Sequence, residues 1–335
     1  MTEHLYFSLT KHLLSEAAAE FKAATQSPFL AAAAQGRLDK ETLRLWLVND
    51  RKYIQAYING AENFIYEIQN PECGASYAPV KELDESELAL LAWLTEGLAN
   101  VRREEEFFVD VAARYGIDLE HRMDDPESDA AIAFDVLFEY VPPIRKKTEP
   151  WWLQGAILFW ATEKCYLEAW SWAKTQLNEQ SPEQDADGGA LRMEFIPNWT
   201  SPEFAVFVDR LAQIIDGAVN KMSENIEYYK ETDPELVTAL REVSFLEKTV
   251  EKPQGIFLKV LEIEEQFWPG DDAIIRPKHG AWLALSTISR IQLLNILPDT
   301  LTRPELGLDV HGCQEGFPMK NSLNHPLPTA ELGPR

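Results

Sequence analysis

The chain has few of the features that would place it in an oxidising compartment or on a membrane. Its 335 residues include three cysteines, Cys73, Cys165 and Cys313. That odd count, with no CxxC spacing, fits neither a disulfide framework nor a zinc site. No basic segment followed by an apolar run lies near Met1, so no secretory signal is expected. The longest apolar stretch, Trp151 to Ala161, contains Gln154 and Gly155 and is too short to span a bilayer. Positive charge is also scarce, with 31 Lys and Arg against 55 Asp and Glu and a net charge of −24. No Lys/Arg-rich run occurs. Such a surface repels phosphate backbones and anionic lipids, so neither nucleic acid nor a membrane is expected as a partner. These features together predict a protein of the cytoplasm or another reducing compartment, with cytoplasmic the expectation taken.

Apolar residues are plentiful. They make up 45 % of the chain, with ten Trp and sixteen Phe. This is enough for a sizeable core and argues against global disorder. Their spacing is helical for most of the first 270 residues, with no alternating strand and no internal repeat.

The pattern predicts a first helix over about His4 to Ala24, then a turn in which Ser27 is the N-cap and Pro28 the first helical residue. A short helix follows to Ala34, ending at Gly36, and Asp39 caps a longer one reaching Gln69. Further helices are expected over about Ser86 to Tyr115, Ala130 to Tyr140, Trp151 to Leu177, Pro202 to Glu231, Pro234 to Phe245 and Pro253 to Trp268. Asn178 to Gly189 is acidic and polar and reads as an exposed loop. The expected fold class is an all-α multi-helical bundle over residues 1–270, with a partly irregular C-terminal extension over 271–335 that has a possible helix from Ala281 to Leu297.

Three of these helices carry one acid in the middle of an apolar stripe. Asp50 lies between Leu47 and Tyr53, Glu163 between Trp160 and Tyr166, and Glu264 between Leu261 and Phe267. Burying a carboxylate costs several kcal/mol unless it is paired, so each such acid has a structural partner or lines a polar cavity. Three of them flanked by Tyr and Trp point to a pocket for a flat small molecule. Glu105 also lies on its stripe, but within the acidic run Glu104 to Glu106, which reads as a solvated face. The six histidines supply no Glu-x-x-His pair, so a carboxylate-bridged metal pair is not expected. His12 is the conceivable axial ligand if haem were bound.

At these residues the sequence resembles the TenA/thiaminase II family, which has the haem-oxygenase-like helical fold. The segment SPFLAAAAQGRLDKETLRLWLVNDRKYIQAY, Ser27 to Tyr57, is similar to that family's His-Pro-Phe, Gly-x-Leu and Leu-x-x-Asp-x-x-Tyr pattern. EEQFW, Glu264 to Trp268, is similar to its Glu-x-x-Phe-Trp. FWATEKCYLEAWSWAK and FIPNWTSPEFAVFVDRL fall where related segments belong. The resemblance implies that Asp50 hydrogen-bonds an aminopyrimidine, that Tyr53 sits beside its ring and that Phe267 stacks on it. It also places Tyr166 and Trp199 among the substrate-binding residues.

Glu264 would be the general acid/base at the leaving amine. The nucleophile position has two candidates. The Cys165-Tyr166 pair matches the family's Cys form; the string from Trp160 to Trp170 matches a Glu form with Glu163 in that place. Helical phase centres Glu163 on the buried stripe, which favours the Glu form. Pro269-Gly270, the acidic loop and the C-terminal extension depart from the family's pattern. The implied function is hydrolysis of an amino- or formylamino-pyrimidine in thiamin salvage, without a metal or cofactor, in a homo-oligomer (dimer or tetramer). The alternatives are a non-catalytic pyrimidine-binding protein and a haem-oxygenase-like oxidoreductase.

Overall fold

A computed structural model describes residues 6–70, 82–123, 125, 128–140, 150–232 and 245–270. Its helices, in chain order, are α1 (Leu9–Glu16), α2 (Ala18–Thr25), α3 (Pro28–Ala34), α4 (Lys40–Gln69), α5 (Glu85–Tyr115), α6 (Asp129–Tyr140), α7 (Leu153–Thr175), α8 (Ile196–Trp199), α9 (Pro202–Thr232) and α10 (Phe245–Phe267). No strand occurs among the described residues. The expected helix from Pro234 to Phe245 and the C-terminal extension lie outside the described residues, apart from Phe245, which begins α10.

The helix starts follow from capping chemistry. Ser27 Oγ accepts the Leu30 N–H at 3.3 Å, with Pro28 in the first turn of α3. Asp39 Oδ1 accepts the Thr42 N–H at 2.7 Å. At the start of α5, Asp84 and Glu87 satisfy each other's backbone N–H groups in a capping box. Gly116 ends α5 in the left-handed conformation, at φ 65°.

Three expectations need correction. The first helix is not continuous but breaks at Ala17 (φ −112°, ψ 34°). No glycine or proline marks the break; its cause is tertiary. Asp216 on α9 accepts the Ser8 hydroxyl, the Thr10 N–H and the Thr10 hydroxyl, which holds α1 to α9. α2 instead packs on α7 and α10. Pro253 does not begin a helix. α10 runs through it, with one ladder bond missing because proline has no N–H.

The acidic segment after α7 is not a solvated loop throughout. Asp185 and Asp187 are buried, with 6 % and 1 % exposure. Arg192 donates from Nε to Asp185 Oδ2 at 2.6 Å and from Nη2 to Oδ1 at 2.5 Å. The backbone N–H groups of Gly189 and Leu191 bind Asp187. A 3₁₀ turn (Pro182–Gln184) and a π-helical turn (Leu191–Phe195) lead from here into α8. Gly36 has φ +69°, and a Cβ there would lie 2.0 Å from Asp185 Oδ1, so this turn packs on the end of α3.

The bundle positions the site as follows. α4 packs against α5 and α6; α7 packs against α8, α9 and α10; α5 packs against α9. Trp93 on α5 donates to the Phe207 carbonyl on α9 at 2.9 Å, and their rings stack at 4.4 Å. Gly97 lets α5 come close, since a Cβ there would meet the Phe207 ring and the Tyr57 hydroxyl at 3.2 Å. α10 ends where Trp268 donates its indole N–H to the Ala24 carbonyl at 2.7 Å, just before Pro269. Trp46, Trp170, Trp199 and Trp268 form one aromatic layer, with Trp170 and Trp199 stacked at 4.5 Å.

Candidate active-site cavity

A cavity of about 570 Å³ opens among α4, α5, α7, α8 and α9. Its volume suits a small organic molecule. The aromatic part of its wall includes Tyr53, Tyr57, Tyr166 and Trp199, and the acids on it include Asp50, Glu104 and Glu163. Of the residues implicated by sequence, Asp50, Tyr53, Glu163, Tyr166 and Trp199 thus meet on one wall.

Asp50 is 2 % exposed in the middle of α4. Its Oδ2 accepts the Tyr166 hydroxyl at 3.1 Å, and its Oδ1 has no partner. Burial raises its pKa well above the carboxylate range, the charge of Glu104 adds to this, and the Tyr166 hydrogen bond opposes it. A ligand N–H would satisfy Oδ1 and favour the ionised form.

Glu163 on α7 accepts the Tyr57 hydroxyl at 2.7 Å. Burial pushes its pKa up to about 8; the Tyr57 hydrogen bond lowers it and the Glu104 charge raises it. At neutral pH this carboxyl holds its proton and can give it to a basic leaving group. Cys165, two residues on, is fully buried, and burial pushes its thiol well above the usual range. Cys165 does not line the cavity. The thiolate is the reactive form of cysteine, and this environment suppresses it.

Glu264 on α10 is 2 % exposed, and its Oε2 has no partner. Burial raises its pKa well above the ordinary value, with the nearby Asp50 charge adding to the effect. Its own charge acts on Tyr53 and Cys165. Glu264 is therefore close to Asp50 and Tyr53 but lies off the cavity wall. Phe267 is likewise set back, packed on Tyr53 at 5.8 Å and Phe134 at 6.1 Å. The structure has Glu264, Phe267 and Cys165 in a layer behind the wall.

Glu104 was not singled out from sequence. It belongs to the acidic run on α5, yet it lines the cavity and accepts the indole N–H of Trp199. Burial raises its pKa to about 7, against the effect of that hydrogen bond. Spacing does not separate it from Glu105: Glu104 lies three residues after Val101 and four before Phe108, both buried, and Glu105 lies four after and three before. Glu105 has the alternative phase and makes a half-exposed ion pair with Arg51 at 3.1 Å. Tyr57, on the apolar stripe of α4, is the other residue that gained a role only from the structure.

His12 packs near the Phe7 ring, with centroids 5.7 Å apart, and does not line the cavity. Among the described residues, no group of three or more His, Cys, Asp or Glu side chains is placed to hold a metal ion. No helix among them is long and apolar enough to cross a membrane.

No family model matches the chain. A protein of Fusarium pseudograminearum (strain CS3096) named "Probable transcription factor" is 27 % identical over 248 residues, covering 65 % of this chain and 47 % of that protein. The match therefore spans about half the length of that relative. Among solved structures, a TenA homologue from Pyrococcus furiosus superposes with a TM-score of 0.53 at 21 % identity, covering 79 % of this chain and 99 % of its own. A TenA homologue from P. horikoshii OT3 gives 0.52 at 15 % identity, covering 80 % and 98 %. At these identities the likeness establishes the fold: an all-α, haem-oxygenase-like bundle shared with TenA homologues.

Proposed function

We propose that the protein hydrolyses a C–N bond in an amino- or formylamino-pyrimidine bound in this cavity. The observation that carries the reading is Asp50: a buried carboxylate on the cavity wall with one oxygen taken by Tyr166 and the other unpartnered. A carboxylate so placed complements an amidine-like edge, where a ring nitrogen and an exocyclic amine offer paired hydrogen bonds. Tyr53 and Tyr166 flank that position on the same wall.

For an aminomethyl substrate the reaction is R–CH2–NH2 + H2O → R–CH2–OH + NH3. The C–N bond breaks, the leaving nitrogen takes a proton, and water supplies the new C–O bond and its own proton in return. Glu163, an acid on the wall that carries its proton at neutral pH, is the group we assign to the reacting atoms. Glu264 keeps the proton-transfer role implied by the resemblance, from the layer behind Asp50 and Tyr53. Cys165 is a small core residue in this reading.

The test is ammonia release from an aminomethylpyrimidine. Wild-type turnover with loss in Glu163→Gln supports the reading; full activity in both Asp50→Asn and Glu163→Gln refutes it.

A second reading is a pyrimidine-binding protein without turnover, to which the Fusarium relative, named a probable transcription factor, adds a regulatory role. Tight binding of the pyrimidine with no product, together with retention of a DNA fragment by the purified protein, would establish it over hydrolysis. The net charge of −24 opposes the DNA part of that reading.

A further inference from the structure

We propose that Glu104 is the general base of the reaction, taking a proton from the attacking water while Glu163 gives one to the leaving nitrogen. The inference rests on the hydrolase reading of this cavity. There Glu163 has a role, but the water has no base.

Five acids line the cavity: Asp50, Glu96, Glu104, Glu163 and Glu203. Asp50 has one oxygen on Tyr166, and its other, buried and unpartnered, faces the ligand. Glu163 is the proton donor. Glu96 is exposed and paired with Arg210 at 2.8 Å. Glu203 is exposed in the first turn of α9. Glu264 lies behind the wall. Glu104 is the acid that remains.

Its surroundings suit a base. The Trp199 indole N–H donates to Glu104 Oε1, which fixes the carboxyl and favours its ionised form. A carboxylate held at Oε1 keeps its second oxygen for a water. The charge of Glu104 acts on Asp50 and Tyr57 of α4 and on Glu163 and Tyr166 of α7. From α5, it thus faces both the ligand-binding acid and the proton donor. α5 and α7 each pack on α9 and not closely on each other, which leaves the cavity between the two glutamates.

The two proton affinities fall in the order this division of labour needs. Burial raises Glu104 to about 7 and Glu163 to about 8, so Glu104 gives up its proton first and Glu163 keeps its own. The pair then holds one proton and one negative charge, and no second buried anion is required. In the reaction the water oxygen forms the C–O bond and its proton passes to Glu104. The C–N bond breaks with its electron pair staying on nitrogen, and the Glu163 proton completes NH3. Passage of the new proton from Glu104 to Glu163 through water resets the pair.

The test is ammonia release from an aminomethylpyrimidine by the full-length protein, measured from about pH 5 to about pH 9. Wild-type kcat is expected to decline on the acid side of about 7 as Glu104 is protonated. Glu104→Gln, its fold checked by circular dichroism and melting, should lower kcat by about 10²- to 10⁴-fold and remove that decline. Its amide oxygen can still accept the Trp199 N–H, so a merely structural role would survive the change. In Glu104→Ala, added formate or azide should restore activity by about tenfold or more, by supplying the missing base. If Glu104→Gln fails to fold, the loss and its rescue are read from Glu104→Ala.

A folded Glu104→Gln within about threefold of wild type, or a loss in Glu104→Ala that neither anion relieves, overturns the proposal and leaves the hydrolase reading standing. Wild-type protein that releases no ammonia overturns both.

Discussion

The Tyr57 hydroxyl donates to Glu163 Oε1 at 2.7 Å, joining the fifth turn of α4 to the middle of α7. The bond stabilises the ionised form of Glu163, while burial works the other way and wins, leaving the acid at about 8. Removing the hydroxyl should move the balance further. Tyr57→Phe is expected to raise the pH at which the acidic form of the enzyme is lost, by about one unit for a bond of about 1.4 kcal/mol. The pH dependence of kcat in wild type and variant measures this; identical profiles would disconnect Tyr57 from the chemistry.

Asp50→Asn should weaken pyrimidine binding by about 30-fold, the equivalent of about 2 kcal/mol for a hydrogen bond to a charged group. Tyr166→Phe should cost less, because it removes a neutral donor to Asp50 Oδ2 and leaves the ligand-facing Oδ1 in place. Calorimetric titration of both variants checks the order of the two effects.

Much of this wall was legible in the sequence, for a definite physical reason. Asp50, Glu163 and Glu264 are single acids in long apolar stripes, and a helix that buries a stripe must bury what sits in its middle. Glu104 was hidden by its neighbours. In the run Glu104 to Glu106 the choice between adjacent residues is a rotation of about 100°, which spacing against Val101 and Phe108 does not resolve. The layer that holds Glu264 and Phe267 back from the cavity depends on how α10 packs against α7 and α2, and no local pattern encodes that. The acidic segment misled for a related reason. Asp185 and Asp187 are satisfied by an arginine seven residues after Asp185 and by the nearby backbone N–H groups of Gly189 and Leu191, not by an apolar stripe.

That segment supplies a stability test. Arg192 and Asp185 have side chains 5 % and 0 % exposed, so Arg192→Ala leaves a buried carboxylate without its cation. The expected loss is about 3–5 kcal/mol. Gly36→Ala should also destabilise, because it forces a side chain into the left-handed region and onto Asp185. Urea unfolding measures both. A loss under about 1 kcal/mol for Arg192→Ala would show that the pair does not hold this turn.

The cavity acids predict how stability depends on pH. Burial raises Glu104 to about 7 and Glu163 to about 8 in the folded protein, above their unfolded values near 4.5. Acids raised on folding favour the native state in protonated form. That contribution is complete below the unfolded pKa and is lost as pH rises through about 7 and 8. The melting temperature should therefore fall between about pH 5 and about pH 8, by roughly 5 °C or more. The fall should shrink in the Glu104→Gln/Glu163→Gln double variant. A melting temperature that rises over this window would contradict the environment assigned to these acids.

The central claim is that Glu163, on the cavity wall, and not the buried Cys165 two residues away, acts on the substrate. The most direct measurement is ammonia release from an aminomethylpyrimidine by wild type, Glu163→Gln and Cys165→Ala under one set of conditions. The account predicts that Glu163→Gln lowers kcat by about 10²- to 10⁴-fold and that Cys165→Ala stays within about threefold of wild type. A Cys165→Ala variant that is folded but inactive, beside an active Glu163→Gln, would contradict it.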